Sequence, residues 1–300
     1  MKIGVIGIGS IARKAYLPIY AGLENAELFF CTRNPNTLEE LKNRYHFTHL
    51  YRDIEQWLEG GIEAAFVHAA TKVHPQIIEK LLNHHIAVYT DKPIADSYAE
   101  AKRLVALAAE RDTPLMTGFN RRFAPFYQEA AKITDKSKVI LQKNRINDPV
   151  DLRTFVYDDF IHLIDTLRFQ LKGKVELSVV QATKNNQGLY TDLTVLLRSG
   201  GKTAIALMNR VSGANEEILQ VMSSLGECAV TDLVHMTRIE GTKRQVSTFG
   251  DWETTLHKRG FEQIAQAFIH AIDAGEALPI SGEDALASHL ICEQIIDQLE

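Results

Sequence analysis

The chain opens Met1-Lys2-Ile3-Gly4-Val5-Ile6-Gly7-Ile8-Gly9-Ser10-Ile11-Ala12, an apolar run that passes through two glycines into a helical pattern at Ile11–Ala21. Strand, tight turn and helix start, in that order, make an anion cradle. Gly7 permits the turn, Gly9 lets backbone approach a pyrophosphate, and Ala12 is small enough for the helix to pack closely on the strand. The unpaired N–H groups of the helix start, around Ser10 and Ile11, and its partial positive charge face the anion. The string alone is weak. Its place between a strand and a helix in a repeating pattern makes it read as a dinucleotide site.

That pattern runs to about residue 120. Apolar runs at Leu28–Cys31, Ala64–His68, Ile86–Tyr89 and Leu115–Thr117 alternate with helical stretches at Thr37–Tyr45, His74–Asn83 and Ser97–Arg111. Short strands, apolar on both sides and separated by helices, suit a parallel sheet covered on both faces. Right-handed crossovers then wind it doubly. After Asn120 the texture changes. Helices at Pro125–Ile133 and Asp158–Gln170 precede period-two segments at Val175–Thr183, Thr191–Arg198, Thr203–Asn209, Ile218–Met222 and Val234–Ile239. Helices at Phe261–Ala274 and Glu283–Gln298 follow. The expectation is an α/β chain: a doubly wound Rossmann domain over residues 1–119 that binds a dinucleotide, and an α+β domain over 120–300 with an open, mainly antiparallel sheet that binds substrate.

Composition narrows the function classes. The 300 residues are 45% hydrophobic and 24% charged, which suits two globular domains and excludes a disordered or disulfide-stapled chain. A net charge of -5 offers no basic field for nucleic acid. No apolar run approaches the roughly 18 residues that span a membrane. Cys31, Cys228 and Cys292 are widely separated and lack metal-ligand spacing, as in a reducing compartment. With an N-terminus that reads as a strand rather than a signal peptide, the expected location is cytoplasmic. His46 and His49 have no neighbouring acidic or cysteine ligand, so no metal is expected. The Gly201-Lys202-Thr203 string lacks the earlier glycine of a phosphate loop and reads as a hairpin turn. A small molecule is the expected partner.

Three further stretches carry chemistry. The second strand ends Phe29-Phe30-Cys31-Thr32-Arg33-Asn34, without the carboxylate that commonly holds a ribose 2′-hydroxyl. Arg33 and Thr32 can instead bind a 2′-phosphate, which favours NADP over NAD; the alternative is a solvated loop arginine. Asp91-Lys92-Pro93 follows the strand at Ile86–Tyr89, on the carboxyl edge where such sheets bind ligands, so Lys92 is either a catalytic cation or a solvated loop lysine. Thr71 and His74 lie beyond the strand before it, on the same edge. In Asp158-Asp159-Phe160-Ile161-His162-Leu163-Ile164-Asp165, helical spacing puts Asp158, His162 and Asp165 on one face. Asp158 can then orient and charge the His162 imidazole for acid–base work. The alternative is an aspartate cap and a histidine on the wet face.

Together these stretches resemble the Gfo/Idh/MocA family of NAD(P)-dependent oxidoreductases over nearly the whole chain. The matches are the Gly7–Ala12 loop, Thr71 with His74, Asp91-Lys92-Pro93, Gly118-Phe119-Asn120-Arg121-Arg122-Phe123 and the Asp158–Asp165 stretch. The combination is similar to the MviM-type, virulence factor-like branch. The resemblance implies a catalytic lysine at Lys92 and a catalytic pair at Asp158 and His162. It places the cofactor on Gly7, Gly9, Ser10, Ile11, Ala12, Thr32, Arg33, Thr71, His74, Asp91, Lys92 and Asn120. It also implies a homodimer or homotetramer formed through the C-terminal sheet. Asp91 departs from the family's usual glutamate, which shortens a side chain expected near the nicotinamide ribose. The implied reaction moves hydride between the nicotinamide and a secondary alcohol or ketone of a sugar- or polyol-like substrate held between the domains. A non-catalytic nucleotide sensor on the same fold is the competing reading. Retention of Lys92, Asp158 and His162 together favours the enzyme. A third is redox chemistry on a nucleotide that never leaves. The Arg121-Arg122 pair reads either as an anion site or as internal ion pairing.

Overall fold

A computed structural model describes residues 1–300, which divide into two compact units: Met1–Gly118 with Ile264–Leu286, and Phe119–Gln263 with Ala287–Glu300.

In the first unit the strands β1 (Lys2–Ile6), β2 (Glu27–Cys31), β3 (His49–Tyr51), β4 (Ala64–Val67), β5 (Ala87–Thr90) and β6 (Leu115–Thr117) form one sheet in the order β3-β2-β1-β4-β5-β6. Every pairing is parallel. β1, β4 and β5 bury almost every residue, as strands covered on both faces must. The helices between them are α1 (Leu17–Tyr20), α2 (Pro35–Tyr45), α3 (Ile54–Leu58), α4 (His74–Asn83) and α5 (Tyr98–Glu110). Their starts are chemically set: Asn34, Asp53 and Ser97 each accept backbone N–H groups of the first turn. The strand order reverses between β1 and β4, and that switch point opens the ligand crevice of such sheets.

Residues 264–286 pack with this unit, whereas the sequence reading assigned them to the second. The reason is apolar: Phe268 is fully buried and meets the rings of Phe66 and Tyr89 at centroid distances of 5.2 and 5.6 Å.

The second unit carries an eight-stranded sheet in the order β14-β13-β12-β11-β7-β10-β9-β8. Its elements are α6 (Pro125–Ala131), β7 (Lys136–Asn144), α7 (Ile161–Leu171), β8 (Glu176–Lys184), β9 (Tyr190–Ser199), β10 (Lys202–Asn209), β11 (Glu216–Ser223), β12 (Gly226–Thr231), β13 (His235–Glu240), β14 (Lys243–Thr248) and α8 (Thr255–Lys258). α9 (Phe261–Ala274) and α10 (Gly282–Leu299) complete the chain. Six neighbouring pairs are antiparallel and only β7–β10 is parallel. β9 and β10 alternate buried and half-buried residues, and α7 packs on β7 and β10. Gly200, in the left-handed region at φ +57°, turns β9 into β10, so the Gly201-Lys202-Thr203 string is indeed a hairpin. No helix is long and apolar enough to cross a membrane.

Candidate active site

A cleft of about 750 Å³ opens at the carboxyl edge of the first sheet, lined among others by Gly7, Gly9, Thr32, Arg33, Arg52 and His68. Gly7 holds φ +88°, and a Cβ there would lie 2.3 Å from the Ala69 nitrogen. A Cβ on Gly9 would meet nothing within 4 Å, so its missing side chain leaves the loop backbone bare to the cleft. Ser10 and Ile11 are exposed at the start of a helical run that continues through the π turns Ala12–Tyr16 into α1, and Ala12 is buried beneath them. This cradle fits a dinucleotide pyrophosphate. Gly7→Ala is expected to lower both the unfolding midpoint and nucleotide affinity, since the left-handed conformation alone costs ~1–2 kcal/mol and the clash adds to it. Gly9→Ala is expected to weaken nucleotide binding while stability moves by less than about 0.5 kcal/mol. Thermal melts paired with NADPH fluorescence titrations distinguish the two.

At the end of β2, Thr32 accepts from the Asn34 N–H at 3.4 Å, and Arg33 is exposed on the cleft wall. The carboxylate of Asp53 also lines the cleft, but it caps α3 by accepting from the N–H groups of Glu55 and Gln56 at 3.0 and 3.1 Å. Arg52, exposed beyond β3, adds a second cation.

Asp91 faces inward. Its Oδ1 accepts from the Tyr16 hydroxyl at 2.9 Å and its Oδ2 from His68 Nδ1 at 2.8 Å. His68 Nε2 then accepts from the Tyr20 hydroxyl at 2.6 Å, and the Tyr16 and Tyr89 hydroxyls meet at 2.8 Å. Burial opposes ionisation of Asp91, but His68 and Tyr16 hold its carboxyl below the ordinary value. The shortened acid is thus matched by a histidine. His68 escaped the sequence reading, although a histidine at the carboxyl end of a parallel strand was a signal that could have found it. His74 is buried, with ring nitrogens 2.8 Å from the carbonyls of Pro93 and Ala69, and so braces the loops after β4 and β5. Thr71 begins the single turn Thr71–Val73 and is half-buried, as is Lys92.

The remaining candidates belong to the second unit. Asn120 is buried and donates to the Arg259 carbonyl at 2.8 Å. The helix expected to begin at Asp158 begins earlier, in the wide π-helical turns Thr154–Phe160 that run into α7. Neither Asp158 nor Asp159 is therefore its cap. Along this turn Asp158 is exposed, His162 half-buried and Asp165 buried. Asp165 receives Arg122 Nε and Nη2 at 2.8 and 2.6 Å and the Ser288 hydroxyl at 2.9 Å. Arg121 meets Glu217 through two bonds of 2.7 Å, and Tyr127 donates to the same carboxylate at 3.0 Å. Both arginines of the Arg121-Arg122 pair are thus spent on internal ion pairs.

Asp159 is the centre of a second charged cluster. It binds Lys143, takes Arg145 Nε and Nη2 at 2.8 and 3.0 Å, and lies 3.2 Å from Arg210 Nη1. Burial alone would raise its carboxyl, but the Lys143 and Arg145 charges hold it far below the usual range. Lys143 is the only one of these cations that can shed its proton. Burial, followed by the nearby Arg121 charge, pushes it down to about 7. The sequence reading missed Lys143 and offered Asp159 only as a helix cap, because the ion-pair partners lie 14 to 51 residues away in the chain.

Comparison with known proteins agrees with this architecture. Residues 1–119 match the family described as an oxidoreductase family with an NAD-binding Rossmann fold, and residues 125–242 match the YceM-like C-terminal domain. The chain is 30% identical to a Salmonella typhimurium protein named as an oxidoreductase, YceM, covering 98% of this chain and 97% of that one. Against myo-inositol 2-dehydrogenase of Thermotoga maritima the identity is 23%, covering 97% and 94%. A crystal structure of a dehydrogenase (MviM) from Clostridium difficile superposes with a TM-score of 0.95 at 30% identity, covering 99% of each chain. Full-length similarity of this order, laid over the glycine cradle and the two-sheet architecture, shows that the chain belongs to the Gfo/Idh/MocA family of NAD(P)-dependent oxidoreductases.

Proposed function

We propose that this oxidoreductase transfers hydride between a nicotinamide and a secondary alcohol or ketone of a sugar- or polyol-like substrate, with Lys92, Asp158 and His162 as its catalytic residues. The observation that carries the reading is the presence in one chain of a half-buried lysine just beyond the carboxyl end of β5 and a half-buried histidine on α7. Relatives named as inositol dehydrogenases support the substrate class. A bound nicotinamide supplies the hydride acceptor or donor. His162 takes the hydroxyl proton in oxidation and returns it in reduction. Asp158 stabilises the charged imidazole, and Lys92 polarises the reacting oxygen. His68, through Asp91, fixes the backbone that carries Lys92. Absorbance at the nicotinamide band, followed during incubation with sugars and polyols and each nucleotide, tests the reading; no turnover with any of them overturns it.

NADP is the preferred cofactor in this reading. Arg33 and Arg52 line the nucleotide cleft, and its one acidic wall residue, Asp53, is committed to a helix cap. Arg33→Ala is expected to weaken NADPH about 10–100-fold, the worth of a charged hydrogen bond, and to leave NADH nearly unchanged. Equal losses for both nucleotides in a fluorescence titration would remove Arg33 from the site. An even-numbered assembly through the second sheet completes the proposal, supported by exposed Val179 on β8 and Val246 on β14.

A further inference from the structure

A second cleft, of about 600 Å³, lies wholly within the second unit and is walled by the Asp159 and Glu217 ion-pair clusters and the chain around α8. Its charge runs against that of the molecule. The chain carries a net -5, yet five cations line this cleft (Arg121, Lys143, Arg145, Lys258 and Arg259) against three carboxylates. Those carboxylates are already engaged. Glu217 holds Arg121, Asp232 accepts from the Glu217 N–H at 3.0 Å, and Glu216 accepts from Gln142 Nε2 at 3.1 Å. The cations are less well matched. Lys143, Arg145 and Arg210 share one Asp159 between them, although Arg210 also has Asp148. Arg145 spends Nε and Nη2 on Asp159, and more than a third of its side chain is exposed, so its Nη1 edge is open. Neither Lys258 nor Arg259 forms an ion pair; Lys258 rests over the Phe249 ring at 5.8 Å.

We infer that this cleft is the subsite for an oxyanion, a carboxylate or phosphate borne by the substrate, held by Arg145, Lys258 and Arg259. The inference deepens the dehydrogenase reading above and rests on it for the link to turnover. Guanidinium forks match carboxylate and phosphate oxygens in pairs, and a surplus of cations is better offset by an anion than by the hydroxyls of a neutral polyol. The position also suits it. Asp159, which pairs with Lys143 and Arg145 of the cleft wall, lies in chain order between Asp158 and His162, in the turns that lead into α7. Arg259 is set in place by Gly260, at φ +79°, whose Cβ position lies 2.3 Å from the Asn120 carbonyl. Lys143 makes the site responsive: an arriving anion favours its charged form, so binding near neutral pH draws a proton from solution.

Calorimetric titration of the full-length protein with inorganic phosphate, D-glucose 6-phosphate, D-glucuronate and myo-inositol tests this. At least one anion is expected to bind about tenfold tighter than myo-inositol, and to lose about tenfold or more in Arg259→Gln and in Arg145→Gln, while NADPH affinity is unchanged. Arg259 gives up no ion pair, so its variant keeps the test sound if Arg145→Gln folds poorly. Runs in two buffers of different ionisation enthalpy are expected to show proton uptake; binding without it overturns the role of Lys143. No binding of any anion at millimolar concentration, or binding undiminished in both variants, overturns the subsite. Anion binding without turnover would leave the subsite standing and strike the hydride-transfer reading. Turnover of myo-inositol with no anion preference would do the reverse.

Discussion

Replacing His162 with alanine is expected to lower kcat by ~10²–10⁴ while the Kd for NADPH stays nearly constant, because a proton-transfer group acts on the reacting hydroxyl and not on the nucleotide. Lys92→Ala is expected to fall in the same range. A pH profile separates the two roles. In His162→Ala the limb that reports the base should vanish, and in Lys92→Ala it should persist with a lower plateau. Near-wild-type turnover in either variant removes that residue from the mechanism. The Asp91 network gives an internal contrast. His68→Asn keeps a donor for Asp91 and should retain more activity than His68→Leu, which leaves the carboxylate short of a partner in a buried site.

The second large effect concerns stability. Asp165→Ala removes the buried carboxylate that takes two bonds from Arg122 and lies 3.8 Å from Arg168, at a cost of ~3–5 kcal/mol. At roughly 2–4 °C per kcal/mol for a unit of this size, the unfolding midpoint should fall by about 6–20 °C. The double replacement Arg122→Met with Asp165→Leu should recover part of that loss, since it removes the Arg122 charge along with its partner while Arg168 keeps its own. A double variant as unstable as the single one would show that the pair acts through something other than its charges. Acid should expose the neighbouring pair. Burial opposes the Glu217 charge, but Arg121 brings its carboxyl down to about 2, below an unfolded value near 4.3. A depressed carboxyl contributes stability above the unfolded value and loses it as pH falls toward the folded one. In denaturant melts, the stability difference between the parent and Glu217→Gln should therefore narrow from about pH 4 down to 2.

Much of this was legible in residue order. The Gly7–Ala12 turn and the alternation of short apolar runs with helices fix the parallel sheet, and its carboxyl edge follows. β7, the centre of the second sheet, was not legible. It buries Lys136 and Lys143, and Lys143 takes the next buried position after Val139 and Leu141, so the apolar pattern stops while the burial continues. Burying a lysine makes sense only with its acceptors in view, and these lie elsewhere: the Ala131 carbonyl for Lys136 and Asp159 for Lys143. The helix through residue 158 was expected with ordinary spacing. Its π turns instead direct Asp159 inward, toward cations whose separations of 16 and 51 residues leave no periodic trace. Glu217 and Arg121, 96 residues apart, were hidden for the same reason.

The packing of residues 264–286 has a consequence for how the protein is made. Synthesis delivers the nucleotide loop well before Phe268 and Ile280, which are buried in the same unit. While the intervening residues are still being translated, Phe66 and Tyr89 lack the ring that covers them. The nascent chain therefore carries an unfinished apolar face through most of its elongation, a natural substrate for ribosome-associated chaperones. A message truncated before codon 264 would yield a polypeptide with every glycine of the cradle but without the Phe268 and Ile280 buried in the same unit.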